Sequence, residues 1–382
     1  MAPRETDPRP TRLAETLVEE LSEHGPMTFR DFMERALYDP GGGYYSSSGT
    51  AWRERPDYVT APQVDPSFGA AVARLMQECD VALGCPRRFD LVDFGGGDGV
   101  LLGDICTALQ GEAPNLYERL HGCCVERGPG ARHQQQQRLA AHADHFTWLS
   151  DIDELPRNSV RGLVVSNELL DAFAVHRVVC RKGSLCEVYV DADDGMLVER
   201  EGPPSTEELA SYMAANEIKL VEGQTAEICL EVAGWMGTVS RVLLEGFVLT
   251  VDYGAETSAL YDPERMRESL VCQHRYQLNT EPLKRVGRQD ITAHVDFGNL
   301  RRCGTLANFD VIGDVSLAVF LVGFGAVEEL TPDPSGESPG AHDLRRYLGL
   351  RHLLFTEIGD AHRVILQCKG VNPIPFSLDR LG

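Results

Sequence analysis

The chain has 382 residues and a formal net charge of −22, a length that suits one large domain or two domains. Hydrophobic residues make up 43% and charged residues 25% of it, which excludes disorder of the whole chain. The negative charge repels phosphate backbones and anionic lipid headgroups. We therefore expect neither a nucleic acid nor a membrane as partner and favour a cationic ligand. An equally good explanation is that the acidity serves solubility alone.

The cysteines and the amino-terminal residues indicate in which cellular compartment the protein is expected. The eleven cysteines are scattered and no C-x-x-C pair occurs, which disfavours both a disulfide framework and a zinc site. The first ten residues contain no apolar stretch typical of a secretory signal. We therefore expect a cytoplasmic protein without a metal ion.

Two amphipathic helices are predicted near the amino terminus. Leucines recur on one helical face over residues 11–24. Thr28 then begins a capping box for a second helix, which residues 39–43 break. Residues 44–61 are polar and aromatic and are expected to form an ordered loop.

Short apolar segments that alternate with helical stretches predict an α/β fold, with a parallel sheet and right-handed crossovers. The predicted strands are Phe89–Phe94, Gly122–Glu126, Gly162–Asn167 and Gly246–Tyr253.

An insertion is predicted between the last two strands. It begins with a hairpin over residues 177–198, turning at residues 181–184, and continues with an acidic loop over residues 191–208 and with helices that end near Leu244. A Pro-, Gly- and Ser-rich loop is predicted at Thr331–Gly340.

The predicted organisation has four segments. They are an amino-terminal helical and lid segment (1–75), a Rossmann-like cofactor-binding core (76–176), the inserted hairpin and helical region (177–245), and the rest of the core with a substrate-side segment (246–382).

Asp93, Gly95, Gly97 and Gly99 alternate directly after the first predicted core strand. Glycine there lets the backbone turn sharply and lets a ligand approach without a Cβ clash. The dinucleotide fingerprint G-x-G-x-x-G does not fit, because a start at Gly95 puts Val100 in the last position. This weakens the case for a pyrophosphate and favours S-adenosylmethionine (SAM), a sulfonium nucleoside without phosphate.

Glu126 ends the next predicted strand, where a carboxylate can accept hydrogen bonds from both ribose hydroxyls. The alternative is a solvent-facing acid at a strand end. Asp151, after the presumed third strand, lies where an adenine edge could be bound. Together with the glycine turn, Glu126 predicts a Rossmann-like SAM-dependent methyltransferase.

Several longer segments carry a family resemblance. Residues 32–40 with 43–45, 57–62 with 68–69, the glycine turn, 166–177, 251–254 and 289–297 resemble, in the same order, segments of the MidA family, which includes the mitochondrial complex I assembly-factor arginine methyltransferases. The resemblance spans most of the chain. It implies a Rossmann-like fold and SAM-dependent methylation of an arginine guanidinium nitrogen. Thr60, inside the second segment, is assigned to the cofactor site on this ground.

The chain departs from the family pattern in two places. Gln63 and Asp65 stand where Glu and Ser are expected, and residues 127–130 replace a serine-proline pair after the ribose acid. These departures favour a biosynthetic relative that converts free L-arginine to Nω-methyl-L-arginine, similar to the enzyme of the streptozotocin pathway, within natural-product biosynthesis. The alternatives are a protein arginine methyltransferase, a small-molecule O- or N-methyltransferase, and a non-catalytic assembly factor.

A guanidinium is a poor nucleophile and carries a positive charge, so its methylation calls for carboxylates that orient it and offset the charge. Glu168 is the first candidate and Asp171 the second, since both follow a strand end at the ligand-binding rim of the sheet. Their alternative role is to complement a helix dipole. Asn167 is expected to hold this loop and to contact the substrate.

A second cluster contains Asp290, His294 and Asp296. An Asp–His pair there could take up the proton released by the product, although such a histidine is often structural. Glu231 is a further candidate for binding the cationic substrate. Tyr44 begins a tyrosine pair that forms either a lid over the substrate or ordinary packing. Apolar surface on the insertion suggests a homodimer.

Overall fold

The computed structural model describes residues 10–46, 60–266, 269–326, 341–356, 359 and 361–371. The helices are α1 (Arg12–His24), α2 (Phe29–Tyr38), α3 (Ala61–Val64), α4 (Ser67–Ala82), α5 (Val100–Glu112), α6 (Pro114–Glu118), α7 (Pro129–Arg138), α8 (Glu208–Ala215), α9 (Glu231–Val242), α10 (Thr257–Leu260), α11 (Phe297–Leu306), α12 (Leu317–Gly323) and α13 (Ala341–Phe355).

The strands are β1 (Met27–Thr28), β2 (Phe89–Phe94), β3 (Leu120–Val125), β4 (Phe146–Leu149), β5 (Val160–Asn167), β6 (His176–Arg181), β7 (Ser184–Asp193), β8 (Met196–Gly202), β9 (Thr225–Ile228), β10 (Leu243–Ala255), β11 (Val271–His274), β12 (Gln277–Asn279), β13 (Asp290–Thr292), β14 (Val295–Asp296), β15 (Asp310–Ser316) and β16 (His362–Lys369).

The chain divides into two compact units. The core unit comprises Val59–Asp171, Glu231–Thr257 and Val295–Gly382. The accessory unit comprises Met1–Tyr58, Ala172–Leu230 and Ser258–His294. The division into four segments made from the sequence stays a prediction.

The core unit is built on an eight-stranded sheet. Its order is β15-β16-β10-β5-β2-β3-β4, with β14 paired to the end of β10. Strands β10, β5, β2, β3 and β4 are parallel to one another, whereas β16 is antiparallel to both β10 and β15. All four predicted core strands are present, so the predicted α/β fold with its parallel sheet is confirmed.

The hydrophobic core of this unit includes apolar side chains of α4, α5 and the central strands. Phe68, Leu102 and Leu249 are completely buried there, and burial of one such side chain contributes roughly 1.5–3 kcal/mol. Every residue of β2 is buried. A central parallel strand is covered on both faces, which is why buried and exposed residues do not alternate along β2 and why even its aspartates, Asp90 and Asp93, are buried.

The strand order of the core sheet reverses between β2 and β5. From β2 the chain moves outward to β3 and β4, and then returns to β5 on the other side of β2. In open α/β sheets, ligands bind outside the carboxyl ends of the strands at such a switch point. The glycine turn follows β2 and Glu168 follows β5, so both predicted halves of the site lie at the switch point.

The accessory unit contains an antiparallel sheet of order β1-β7-β6-β9, with β8 paired to β7, and a smaller sheet of order β12-β11-β13. Both predicted amino-terminal helices are confirmed as α1 and α2. Thr11 and Thr28 cap them by accepting hydrogen bonds from backbone amides. Leu17 and Phe32 belong to their buried apolar faces.

The hairpin predicted in the insertion is confirmed. Strands β6 and β7 are joined at Lys182-Gly183, where φ is 52° and 72°. Two consecutive positive φ angles are the signature of the two-residue turn that matches the twist of antiparallel strands.

The acidic loop predicted over residues 191–208 is wrong. Strand β7 continues to Asp193, a second tight turn follows at Asp194-Gly195, and β8 returns along β7. The sequence of these strands lacks a clear alternation of apolar and polar residues because both carry many charged side chains. Arg200 of β8, for example, forms an ion pair with Asp191 of β7. The sequence analysis also missed β9, between two helical stretches that it predicted correctly.

Most of the loop predicted over residues 44–61 and all of the one predicted at Thr331–Gly340 lie outside the described residues. No helix in the part of the chain that the structure describes is both long enough and apolar enough to cross a bilayer.

Candidate functional site

The glycine turn joins β2 to α5. Gly95, Gly97 and Gly99 have φ angles of 64°, 54° and 81°, in the left-handed region that strongly favours glycine. A Cβ added to Gly97 would meet no atom within 4 Å. The backbone at Gly97 therefore borders open space, and a ligand can approach it closely.

Helix α7 holds the glycine turn in place. The buried Gln135 donates a hydrogen bond from Nε2 to the carbonyl oxygen of Gly97, at 3.0 Å. Arg138 bonds both the carboxylate and the carbonyl oxygen of Asp98, each at 3.0 Å. The sequence analysis missed Gln135, because a glutamine in a polar helix carries no motif.

Asp93, at the carboxyl end of β2, is a buried carboxylate at the base of the turn. Neither of its oxygens has a hydrogen-bond partner within the described residues, and a Cβ on Gly96 would collide with them. Burial and, secondly, the charge of Glu126 raise the pKa of Asp93 to about 7. Since a buried polar group without a partner is costly, this carboxylate suits a ligand that brings hydrogen-bond donors or positive charge.

Glu126 follows β3, the strand next to β2. Its Oε1 accepts a hydrogen bond from the backbone amide of Gly128, at 2.8 Å. Burial raises the pKa of Glu126, and the Gly128 amide opposes that rise. Two carboxylates at neighbouring strand ends fit a nucleoside that offers ribose hydroxyls and a cationic group.

The other two residues assigned to the cofactor site cap short helices. Thr60 precedes α3, and its backbone amide donates to the side-chain oxygen of Gln63 at 3.3 Å. Asp151 follows β4 and accepts a hydrogen bond from the amide of Asp153 at 2.8 Å. Both residues thus have a local structural role, and their contact with the cofactor stays a prediction.

Glu168 lies directly after β5 with a φ of 48°, which is uncommon for a residue other than glycine. Its side-chain Oε1 receives a hydrogen bond from Asn167 Nδ2 at 3.2 Å and one from the amide of Ala61 at 3.4 Å. Nε2 of His362 lies 3.4 Å from the same oxygen. Two hydrogen bonds therefore hold this oxygen in place, and His362 lies close enough to form an ion pair with it when protonated.

The other oxygen of Glu168, Oε2, differs from Oε1. Within the described residues it makes no hydrogen bond or ion pair, and it is not fully enclosed. A carboxylate with one anchored oxygen and one accessible oxygen can accept a hydrogen bond from a ligand without first ordering its own side chain.

Asp252, in β10, organises the loop that carries Glu168. Its carboxylate is completely buried and accepts hydrogen bonds from the amides of Leu169, at 3.2 Å, and Leu170, at 2.8 Å. Burial raises the pKa of Asp252 to about 7, an effect that the Leu170 amide opposes and the Glu168 charge reinforces. Asp252 lies within a segment that resembles the family, but its sequence context alone predicts no role for it.

His362 is the residue of this site that the sequence analysis missed altogether. It begins β16 opposite Tyr253 of β10, and the two rings pack with centroids 3.8 Å apart. Nothing in the sequence around residue 362 marks the histidine. Only the register between β10 and β16 brings it to Glu168.

Two more of the predicted substrate residues belong to the core unit. Asp171 is buried in the short turn Leu170–Ala172, and Glu231 is the first residue of α9. Asp296, from the second predicted cluster, also belongs to this unit. It caps α11 by accepting a hydrogen bond from the amide of Asn299 at 2.9 Å, so it has a structural role.

Tyr44, Asp290 and His294 belong to the accessory unit. Tyr45 donates a hydrogen bond to Asp290 at 2.8 Å, and the Tyr44 ring meets the Tyr45 ring edge-on. Burial and, to a lesser extent, Arg265 lower the pKa of His294. Its imidazole is therefore neutral at pH 7, the state that can accept a proton, and its catalytic role stays a prediction.

The raised pKa of Asp93 leads to a stability prediction for the protein without cofactor. The unfolded chain ionises this carboxyl near its ordinary pKa of 3.8, whereas the folded protein resists ionisation until about pH 7. Stability is therefore lost as the pH rises between these values. We expect Asp93→Asn to raise the thermal unfolding midpoint at pH 8, with a gain that shrinks towards pH 4. A lower midpoint at pH 8 would contradict the assignment.

Glu126→Ala should weaken SAM binding by about 1–3 kcal/mol, the range for losing a charged hydrogen-bond partner. Calorimetry measures the dissociation constant directly. Glu126→Gln is the matched control, because its side-chain oxygen can still accept the Gly128 amide while the charge is lost. An unchanged affinity in Glu126→Ala would mean that the ribose binds elsewhere.

A doubly wound parallel sheet with a glycine turn after its central strand and an acid after the next strand defines an α/β enzyme that binds a nucleoside cofactor. A family model described as S-adenosyl-L-methionine-dependent methyltransferase matches residues 71–315. The chain belongs to this family.

Similar relatives include the mitochondrial protein arginine methyltransferase NDUFAF7 homolog of Drosophila melanogaster, 25% identical over 340 residues, which are 81% of this chain and 74% of the relative. The NDUFAF7 protein of Bos taurus is 25% identical over 363 residues, 85% of this chain and 77% of the relative. A Burkholderia thailandensis crystal structure with bound S-adenosyl-homocysteine is 30% identical, with a TM-score of 0.85 over 96% of this chain and 94% of that one.

The comparisons confirm the predicted relationship to the MidA-type methyltransferases and SAM as the cofactor. The residues present fit that cofactor, since the unpartnered Asp93 carboxylate and the Glu126 carboxylate would bind its donors beside the open backbone of Gly97. When bound, SAM supplies an electrophilic methyl group.

Proposed function

We propose that the protein transfers this methyl group to a guanidinium nitrogen of arginine. The observation that carries the proposal is the Glu168 carboxylate, anchored through Oε1 and accessible at Oε2, at the switch point of a methyltransferase sheet. A guanidinium N–H is the donor that a carboxylate binds best, through short charge-assisted hydrogen bonds.

The chemistry of the acceptor explains why a fixed carboxylate is needed. The guanidinium lone pairs are delocalised, and its positive charge must approach a cationic sulfonium. Glu168 would offset that repulsion and hold one nitrogen in line for attack, and such alignment alone contributes several kcal/mol. The net charge of −22 further favours a cationic acceptor over an anionic one.

The names of the relatives support arginine as the acceptor residue. The Drosophila melanogaster and Bos taurus proteins are both named protein arginine methyltransferases. A phenol or alcohol acceptor has no such support. Methylation of arginine within a protein is therefore the second candidate beside the free amino acid.

Free L-arginine is the acceptor that the sequence departures favoured, and the structure offers local explanations for them. Gln63 accepts the Thr60 amide, and Asp65 accepts the amide of Ser67 at 3.0 Å. Gly128, within the other departure, donates to Glu126. These roles account for the departures without a change of substrate, so the choice between free and protein arginine depends on a product assay.

That assay uses SAM labelled in its methyl group, with free L-arginine, arginine peptides and a phenol panel as acceptors. Mass spectrometry identifies the labelled product, and added S-adenosylhomocysteine serves as the inhibition control. Labelled Nω-methyl-L-arginine from the free amino acid supports the first candidate. Label only in peptides or proteins supports the second, and label only in phenols refutes arginine methylation.

The cytoplasmic location, the homodimer and the place in natural-product biosynthesis stay predictions. Fractionation, light scattering and the genomic neighbourhood of the gene test them one by one.

A further inference from the structure

His362 is a completely buried histidine at the first position of β16. Its Nε2 lies 3.4 Å from Oε1 of Glu168. Packing against the Tyr253 ring fixes the orientation of the imidazole. The pair is thus arranged so that the charge on His362 acts on the carboxylate that we propose binds the acceptor.

Three further titratable groups interact with this pair or with one another. Asp252 and Tyr253 come from β10 and Asp171 from the turn after Glu168, and all three interact electrostatically with Glu168 or with one another. The complete burial of His362 and Asp252 strengthens the effect of their charges, because the surroundings screen them less than water does. A proton gained by His362 would therefore change the net charge of the acceptor site by one full unit.

We propose that His362 controls the charge that Glu168 presents to a cationic acceptor, so that acceptor binding weakens when His362 is protonated. With a neutral imidazole, the Glu168 carboxylate carries a net negative charge that an acceptor can reach through Oε2. With an imidazolium 3.4 Å from Oε1, the pair is neutral and attracts a guanidinium less. This inference rests on the proposed function.

The same coupling acts in the opposite direction, because linkage is reciprocal. A guanidinium bound at Glu168 disfavours a second positive charge at His362. Binding of arginine to the protonated enzyme therefore releases a proton. His362 acts through Glu168 and is a positioning residue rather than a catalytic one.

The test is calorimetric titration of L-arginine into the wild-type protein and His362→Gln, with S-adenosylhomocysteine present, from about pH 5.5 to about pH 8.5, the window in which histidine titrates. We expect wild-type affinity to fall about tenfold towards acidic pH, with proton release visible as a dependence of the binding enthalpy on the buffer. His362→Gln should bind with little dependence on pH and without proton release.

Asp252 titrates in the same window, because its pKa is about 7. The pKa of Asp93 in the cofactor site is about 7 as well. A loss of affinity at acidic pH that persists in His362→Gln therefore belongs to one of these two carboxylates and overturns the inference. Identical pH profiles of the wild type and His362→Gln overturn it equally.

A second measurement tests the coupling between His362 and Glu168 in the absence of an acceptor. In ¹⁵N-histidine NMR spectra, the His362 resonance is the one that disappears in His362→Gln. Glu168→Gln should move its titration midpoint to lower pH, since a neighbouring negative charge favours the imidazolium. An unchanged titration midpoint of His362 overturns this inference and leaves the proposed function untouched. If the midpoint moves and the wild type neither binds nor methylates arginine, the coupling stands, but the proposed function and the acceptor role of His362 both fail.

Discussion

Glu168→Gln is expected to lower the turnover of arginine methylation by about 10²–10³-fold, the range for removing one group that stabilises charge in a transition state. The amide keeps the size of the side chain and can still face Asn167 and Ala61, but it carries no charge to offset the guanidinium. SAM affinity should stay near the wild-type value, because Asp93 and Glu126 are unchanged. Steady-state kinetics and calorimetry give the two quantities.

The matched control is Glu245→Gln, which also replaces a glutamate by a glutamine. Glu245 lies in β10, the strand that pairs with β5, after which Glu168 follows. Glu245 forms an ion pair with Arg161 of β5 near the amino ends of the two strands, opposite the edge that carries Glu168. We expect wild-type turnover in the control. If both variants fall equally, the loss reflects sheet stability, and a Glu168→Gln enzyme with wild-type turnover would remove Glu168 from the site.

The parts of the fold that could be predicted from the sequence have local causes. Strand β2 is rich in apolar residues because it is covered on both faces, and the glycines after it are required by positive φ angles. Thr28 predicts a helix start because its side chain caps a backbone amide in the first turn of α2. Patterns of this kind are fixed by neighbours in sequence and are visible without tertiary information.

The parts that could not be predicted depend on which segments become neighbours. His362 contacts Glu168 only because β16 pairs with β10 and β10 with β5, and Gln135 meets Gly97 only because α7 packs beside the glycine turn. Strand β8 escaped detection because its charged residues form ion pairs with other strands of the sheet. Arg200 pairs with Asp191 of β7, whereas Glu199 and Glu201 pair with arginines of β6. A single sequence shows none of these pairings.

The second predicted cluster has residues in both units. Asp290, His294 and Asp296 are close in sequence, but the boundary between the units falls after His294. Asp296 caps a helix of the core unit, whereas Asp290 bonds Tyr45 in the accessory unit. Strands β13 and β14 also belong to different sheets, and a joint role of the three residues stays a prediction.

Gly97→Val is expected to weaken SAM binding by at least about 100-fold, which corresponds to a clash of roughly 3 kcal/mol. The new side chain would project into the open space beside the turn, where a Cβ meets no atom of the protein within 4 Å. Because that space is free, the variant should fold, at a cost of roughly 1–2 kcal/mol for a branched residue at a φ of 54°. Calorimetry and thermal unfolding measure the two effects separately.

Gly84→Val separates backbone strain from obstruction of the cofactor. Gly84 has a φ of 74°, and a Cβ there also meets nothing within 4 Å, but it lies in the turn before β2, at the opposite edge of the sheet from the glycine turn. The control should lose a similar amount of stability and bind SAM normally. Equal losses of SAM affinity in both variants would mean that strain in the fold is the cause. Normal affinity in Gly97→Val would mean that the cofactor does not approach the turn at this glycine.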